Sequence, residues 1–227
     1  MLRRIFLTLA LVTVSLSAFA EVRAQADEKK FEVGGQFTIL QVPTRTAATF
    51  ASPISSESHA TEYGVGGRIG YNFSQHFALE AEGNFFPRDR DVQGGQKIQG
   101  LFGVKAGQKF DKVGIFAKTR PGFIRFSRGD YQPAPVVCVT IFPPPLACFE
   151  PVAKTNFAFD VGGVLELYPS ARTIIRFDAG DTIVRFPARR VAATGSAVGP
   201  PGTLVALPVA AETKHNFQGS IGVGFRF

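Results

Sequence analysis

The last residues of the chain, FQGSIGVGFRF, alternate strictly: Phe217, Gly219, Ile221, Val223, Phe225 and Phe227 fall on one face, and Gln218, Ser220, Gly222, Gly224 and Arg226 on the other. A period of two places successive side chains on opposite faces of a β-strand. The same pattern occurs seven more times, over residues 31–39, 63–73, 77–85, 98–106, 113–123, 157–167 and 173–183. The pattern predicts eight strands. At ~3.3 Å per residue and a tilt near 40°, runs of this length rise roughly 25 Å, the height of an outer-membrane apolar band. Tight turns fall at 74–76, 111–112 and 169–171, while the connections at 41–60, 87–97, 127–153 and 187–214 are long. One end of the molecule therefore has short turns and the other long loops, as in barrels with periplasmic turns and extracellular loops.

Alternation alone does not say which face points inward, because a soluble lipid-carrying barrel keeps its apolar face inside. Volume decides. The apolar faces carry Phe or Tyr at 31, 37, 63, 71, 73, 77, 85, 102, 123, 157, 159, 177, 217, 225 and 227, too many rings for an interior that eight strands leave only just wide enough for side chains. The opposite faces are rich in glycine, with room for a few long charged side chains. The aromatic face is expected outward, against lipid. Phe31, Tyr71, Phe73, Phe77, Phe110, Tyr168, Phe225 and Phe227 are expected to form one interfacial girdle, and Phe85, Phe86, Phe126, Phe157, Phe186 and Phe217 the other.

Composition sharpens this picture. Residues 1–26 combine Arg3 and Arg4, an apolar stretch and two small-residue cleavage patterns, ending at Ala20 and Ala26, and read as a secretory signal peptide. Residues 27–227 are then the mature barrel domain. Without Arg3, Arg4, Arg23 and Glu21, the 25 basic and 18 acidic residues fall to 22 and 17, a net charge of +5. There is no Lys/Arg run to suggest nucleic-acid binding, and no second apolar run long enough for a spanning helix.

The signal, the eight alternating strands and the terminal GVGFRF resemble the bacterial outer-membrane β-barrel family, specifically the OmpA-like transmembrane domain. The resemblance implies an all-β, eight-stranded antiparallel up-and-down transmembrane barrel in the bacterial outer membrane, with outer-membrane lipid as its surroundings. It further implies that Gly222, Phe225 and Phe227 belong to a C-terminal signal read by the β-barrel assembly machinery. The sequence stops at Phe227, so a peptidoglycan-binding domain and cell-wall anchoring are not carried over.

Chemistry-bearing motifs are few. Residues 64–70, GVGGRIG, lie within a strand pattern with no helix after them, which excludes a dinucleotide loop. His59, His76 and His215 lack metal-ligand spacing. His215 and Ser220 would lie on opposite strand faces, so no catalytic constellation, cofactor or metal site is expected. Cys138 and Cys148 share one loop of an exported chain and are expected to pair as a disulfide. The lumen is expected to hold a charge network of Arg68, Glu80, Glu82, Lys105, Lys118, Arg120, Asp160, Arg176 and Asp178, with Arg68 beside Glu80 and Glu82, and Asp160 near Arg176. The loop segments 131–151 and 191–211 are unusually apolar, which fits either an adhesive rim with an unidentified partner or loops folded over each other. The function expected is a structural, surface-exposed barrel with a plugged lumen; the alternatives are a small pore and a secreted lipid-binding barrel.

Overall fold

A computed structural model of the chain describes residues 30–48, 54–135, 145–195 and 203–227. Ten strands follow one another: β1 (Phe31–Thr46), β2 (Ser56–Asn72), β3 (Phe77–Phe86), β4 (Lys97–Lys109), β5 (Val113–Pro133), β6 (Phe149–Leu167), β7 (Thr173–Phe186), β8 (Arg189–Gly195), β9 (Thr203–Val209) and β10 (Glu212–Arg226). Strands β1 to β7 and β10 pair antiparallel with their neighbours. The β10–β1 ladder, from Glu32 opposite Arg226 to Leu40 opposite Gln218, closes them into a ring of eight. Each expected strand is one member of this ring.

The rings and aliphatic side chains of the alternating face point out. Phe31, Ile69, Phe102, Ile115, Phe157 and Phe225 are each more than half exposed on the isolated chain. In water such a surface would be unstable, because apolar area left exposed forgoes about 25 cal/mol per Å². A lipid-carrying barrel with its apolar face inside is incompatible with this orientation. Glycine lets inward-facing side chains fit: a Cβ on Gly222 would stand 2.6 Å from the Gly35 carbonyl, and one on Gly64 would stand 2.7 Å from the Phe86 ring.

Three expectations need correction. The strands run further than their apolar alternation, since the β1–β2 ladder extends to Thr46 opposite Ser56, and β5–β6, after an irregularity between Phe126 and Asp130, extends to Pro133 opposite Phe149. Much of the supposed loops 41–60 and 127–153 is thus hairpin standing beyond the apolar band. Second, the loop at 187–214 contains the β8–β9 hairpin, joined to β1 where the Ala47 amide donates to the Thr194 carbonyl at 2.7 Å. Its consecutive pairs Ala192/Ala193 and Val205/Ala206 are all buried, so both faces are covered and no period of two survives in the sequence.

Third, Phe86, Phe126, Phe186 and Tyr168 are not girdle residues. All four are buried and face inward. Phe86, Phe126 and Phe186 join Leu40, Val42, Leu101, Ile124, Ala158 and Val184 in one apolar cluster inside the long-loop half of the ring. Parity decides this: Phe85 and Phe86 are adjacent and cannot share a face, and Phe126 is three residues from outward-facing Phe123.

Candidate functional site

The inward positions below the apolar cluster are occupied by charge. β3 supplies Glu80 and Glu82, β5 Lys118 and Arg120, β7 Arg176 and Asp178, each pair two residues apart and so on one face. Arg68 comes from β2, Lys105 from β4, and Asp160 and Glu166 from β6. Every one of these side chains is buried.

Two arginines organise the network. Arg120 lies directly opposite Asp160 on β6 and donates to it from Nε at 2.8 Å and Nη2 at 2.7 Å, while Nη1 reaches Glu82 Oε2 at 2.5 Å. Arg176 donates to Asp178 Oδ2 at 2.7 Å and to Glu80 Oε2 at 2.8 Å, and its Nη1 also contacts Glu80 Oε1. Because β7 and β3 are separated by β4, β5 and β6 in the ring, the Arg176–Glu80 pair crosses the lumen. Lys118 bridges Asp160 at 3.1 Å and Asp178 at 3.3 Å. Paired forks of this kind are the strongest hydrogen bonds a protein interior offers.

The pairing departs from expectation in detail. Arg68 is register partner to Glu82, yet Glu82 turns to Arg120, and among the described residues Arg68 keeps only Asp178 at 3.9 Å, with neither Nη1 nor Nη2 hydrogen-bonded. Asp160 pairs with Arg120 and Lys118 rather than with Arg176. The length of an arginine lets it bypass its neighbour, so strand register alone does not set the pairs. Three further members join at the short-turn end. Glu32 accepts from Arg226 Nε at 3.1 Å, and Glu166 accepts from Lys105 at 2.6 Å and from the Tyr168 hydroxyl at 2.8 Å.

The carboxylates of Glu32, Glu80 and Glu166 lie within 4.8 Å of one another, a spacing that suits a metal. Lys105 Nζ, however, stands 3.6, 3.4 and 2.6 Å from the three, so an ammonium already supplies the cation.

Above the charges lies a layer of amides that the sequence reading did not anticipate. Gln99 and Gln218 exchange hydrogen bonds across the lumen at 2.8 and 3.1 Å, Asn84 donates to Gln99 and Glu82, and Gln36 donates to Asn84. The signal was available in the parity of positions 36, 84, 99 and 218. From the short turns upward the interior is charged, then amide, then apolar.

At the long-loop rim Arg45 bridges Glu57 at 3.2 Å and Glu212 at 2.7 Å, and Arg189 meets Glu212 at 3.1 Å. Burial alone would raise the Glu212 carboxyl, but a hydrogen bond from Lys214 and the charge of Arg45 hold it below its ordinary value. Tyr131, buried with no partner for its hydroxyl among the described residues, is pushed up to about 12 by burial and by nearby Asp91. A cavity of about 50 Å³ opens here among Val42, Phe126, Phe186 and Ala192.

The remaining predicted residues are placed as follows. Gly222 and Phe225 lie in the closing ladder, and Phe227 continues it, accepting from and donating to the Phe31 backbone at 3.3 and 2.9 Å. His215 is on the outward face with Asp181, Nδ1 to Oδ2 2.5 Å. Cys148 ends a short 3₁₀ turn, Leu146–Cys148; Cys138, like the signal segment, lies outside the described residues.

Among solved structures, the attachment invasion locus protein Ail of Yersinia pestis is similar at 12% identity, covering 88% of this chain and 100% of its own, with a TM-score of 0.46. Neisserial surface protein A follows at 12% identity, 87% and 97% coverage and a TM-score of 0.43. The N-terminal barrel domain of Pseudomonas aeruginosa OprF is 14% identical, at 86% and 97% coverage and a TM-score of 0.34. No curated protein matches the sequence. The outer membrane protein beta-barrel domain family matches residues 6–227, nearly the whole chain, and with its ring of eight strands and its lipid-facing aromatic surface the protein belongs to that family, a barrel of the bacterial outer membrane.

Proposed function

We propose that the protein is a structural, surface-exposed barrel whose lumen is closed by its own charges and whose long loops make its outside contacts. The observation that carries this reading is Arg176, fully buried and holding carboxylates from β3, β6 and β7 at once. With Arg120 it ties walls together where a conducting path would have to run. Six acids (Glu32, Glu80, Glu82, Asp160, Glu166, Asp178) face six bases (Arg68, Lys105, Lys118, Arg120, Arg176, Arg226), so the plug is neutral and offers a permeating ion no net attraction. The amide and apolar layers above it narrow the same path. In this reading the protein is not an enzyme and uses no cofactor.

The β8–β9 hairpin, whose apolar residues pack on Ala47, supports a role for the loops as a preformed contact surface, its partner unspecified. Gly222, Phe225 and Phe227 act as the address read by the assembly machinery. Planar-bilayer recordings test the closed lumen. The unmodified protein should show no large steady openings, and Glu82→Ala or Arg120→Ala should introduce them. Large openings already present and unchanged by either substitution would sink the plug in favour of a pore.

A further inference from the structure

The ring closes where β10 meets β1, and because these are the first and last of its strands, no hairpin turn sets the register of that ladder. Most of its side chains do not set it either. Outward, Val33 faces Phe225, Gly35 faces Val223, Phe37 faces Ile221 and Ile39 faces Gly219. A slip of two residues keeps every side chain on its own face and again sets apolar residues or glycine against one another. Inward, Gly34 faces Gly224, Gln36 faces Gly222 and Thr38 faces Ser220. After the same slip these uncharged positions still oppose glycine, a hydroxyl or an amide wherever Arg226 is not involved.

One pair is not indifferent. Along this ladder Glu32 is the sole charge of β1 and Arg226 the sole charge of β10; both are buried, their signs are opposite, and they are register partners. Arg226 Nε donates to Glu32 Oε1 at 3.1 Å. A slip of two residues in either direction parts them by about 7 Å. Their remaining contacts lie each on its own side of the seam. Arg226 has the Tyr168 ring, 4.0 Å from its guanidinium carbon, and Glu166 at 3.8 Å, while Glu32 has the Asn72 amide at 2.9 Å and Lys105 at 3.6 Å. These neighbours hold the two charges in place, and only the native register brings them together.

We propose that Glu32 and Arg226 are the register lock of the closing seam. A buried ion pair adds little net stability, but it discriminates between alignments, because a wrong alignment leaves both charges without each other. The same slip would change the stagger that fixes the diameter of a closed barrel, so the lock also keeps the lumen at the width its charged plug fills. Phe225 and Phe227 then face lipid, and Arg226 between them reads β1.

The test is disulfide trapping in the full chain assembled in cells. Ser220→Cys is combined in turn with Thr38→Cys, which reports the native register, and with Gln36→Cys or Leu40→Cys, which report slips of two residues in either direction. After oxidation the linked peptides are identified by mass, which separates them from any bridge at Cys138 or Cys148. In the unmodified seam the Thr38–Ser220 link should dominate. One hydrogen bond to a charged group corresponds to a factor of about ten to a hundred, so E32Q/R226M, which removes both charges and strands neither, should raise the slipped links at least about tenfold. R226M alone should do the same. R226K keeps the charge and should hold the native register, and N72A, which removes a bond to Glu32 but neither charge, should leave it unchanged. Heat-modifiable migration confirms that each variant is folded, and the double variant decides where the single one is not. Native links alone in the folded double variant, equal slippage in N72A, or slipped links as frequent as native ones in the unmodified seam would each overturn the lock.

Discussion

Substitution of Arg120 by Met separates a network that holds the barrel together from charges that merely fill it. The side chain is 1% exposed and makes three hydrogen bonds of 2.5 to 2.8 Å, two to Asp160 and one to Glu82. At a net ~1.5–3 kcal/mol for each bond to a charged group, an upper bound is roughly 5–9 kcal/mol. Two relaxations reduce it. Asp160 keeps Lys118 at 3.1 Å and Glu82 keeps the Asn84 amide at 2.7 Å, and a stranded carboxylate can take up a proton rather than remain charged. A loss of about 3–5 kcal/mol is therefore expected, the range found when one member of a buried pair is removed. Glu82→Gln with Arg120→Met removes opposite charges together and should recover about 1–3 kcal/mol of that loss through the coupling of the two groups. Urea unfolding in lipid vesicles, followed by the loss of the fast-migrating folded band on unboiled gels, measures both values. A loss under about 1 kcal/mol for Arg120→Met, or strict additivity in the double variant, refutes the reasoning.

Other outcomes follow from the rim, the seam and the loop. Glu212 has a depressed carboxyl value in the folded state. The stability it contributes is present above the ordinary glutamate value of about 4.3 and is lost as pH falls through the lower folded value. Hydrogen-exchange protection in β8, corrected for the intrinsic pH dependence of amide exchange, should fall across that acidic window, and Glu212→Gln should remove the dependence; protection that stays constant with pH in the wild type contradicts the pairing. Gly222→Val places a Cβ 2.6 Å from the Gly35 carbonyl in the closing ladder. It should reduce the yield of folded barrel in vitro, whereas deletion of Phe227 should leave refolding in vitro largely intact and reduce assembly in cells; equal effects of both changes in both settings would remove the distinction. Cys138 and Cys148 should be closed to thiol reagents under denaturing, non-reducing conditions, and two labelled cysteines per chain would refute a bridge that is expected to order its loop by about 3 kcal/mol.

Much of this architecture was legible along the chain. Phe31, Val33 and Phe37 alternating with Glu32, Gly34 and Gln36 announce a strand with two different surroundings, and the eightfold recurrence of that signal gives the number of strands in the closed ring and which of their connections are tight turns, though not how far the strands run beyond the apolar band. The crowd of rings on one face settles which side meets lipid, because volume is a property of the residues themselves. Inward parity also nominates the charged residues of the lumen as a set. It nominates Gln36, Asn84, Gln99 and Gln218 equally well, and Phe86, Phe126 and Phe186 as inward rings, wherever the period of two is followed strictly rather than overridden by the expectation that terminal aromatics form girdles.

Tertiary structure decided what depends on distance across the ring. The sequence by itself determined that Arg68, Glu82, Arg120 and Asp160 face one another in a common lumen, because a strand's alternation is local and every residue carries its own share of it. Which carboxylate each arginine holds is a different matter. Arg120 reaches past β4 to Glu82 and Arg176 spans the lumen to Glu80, and these choices depend on the curvature of the closed sheet and the reach of a flexible side chain, neither of which is written in any one strand. The β8–β9 hairpin belongs to the same class: buried on both faces by contacts with residues such as Ala47, far away in the chain, it has no alternation to display until the barrel that covers it exists.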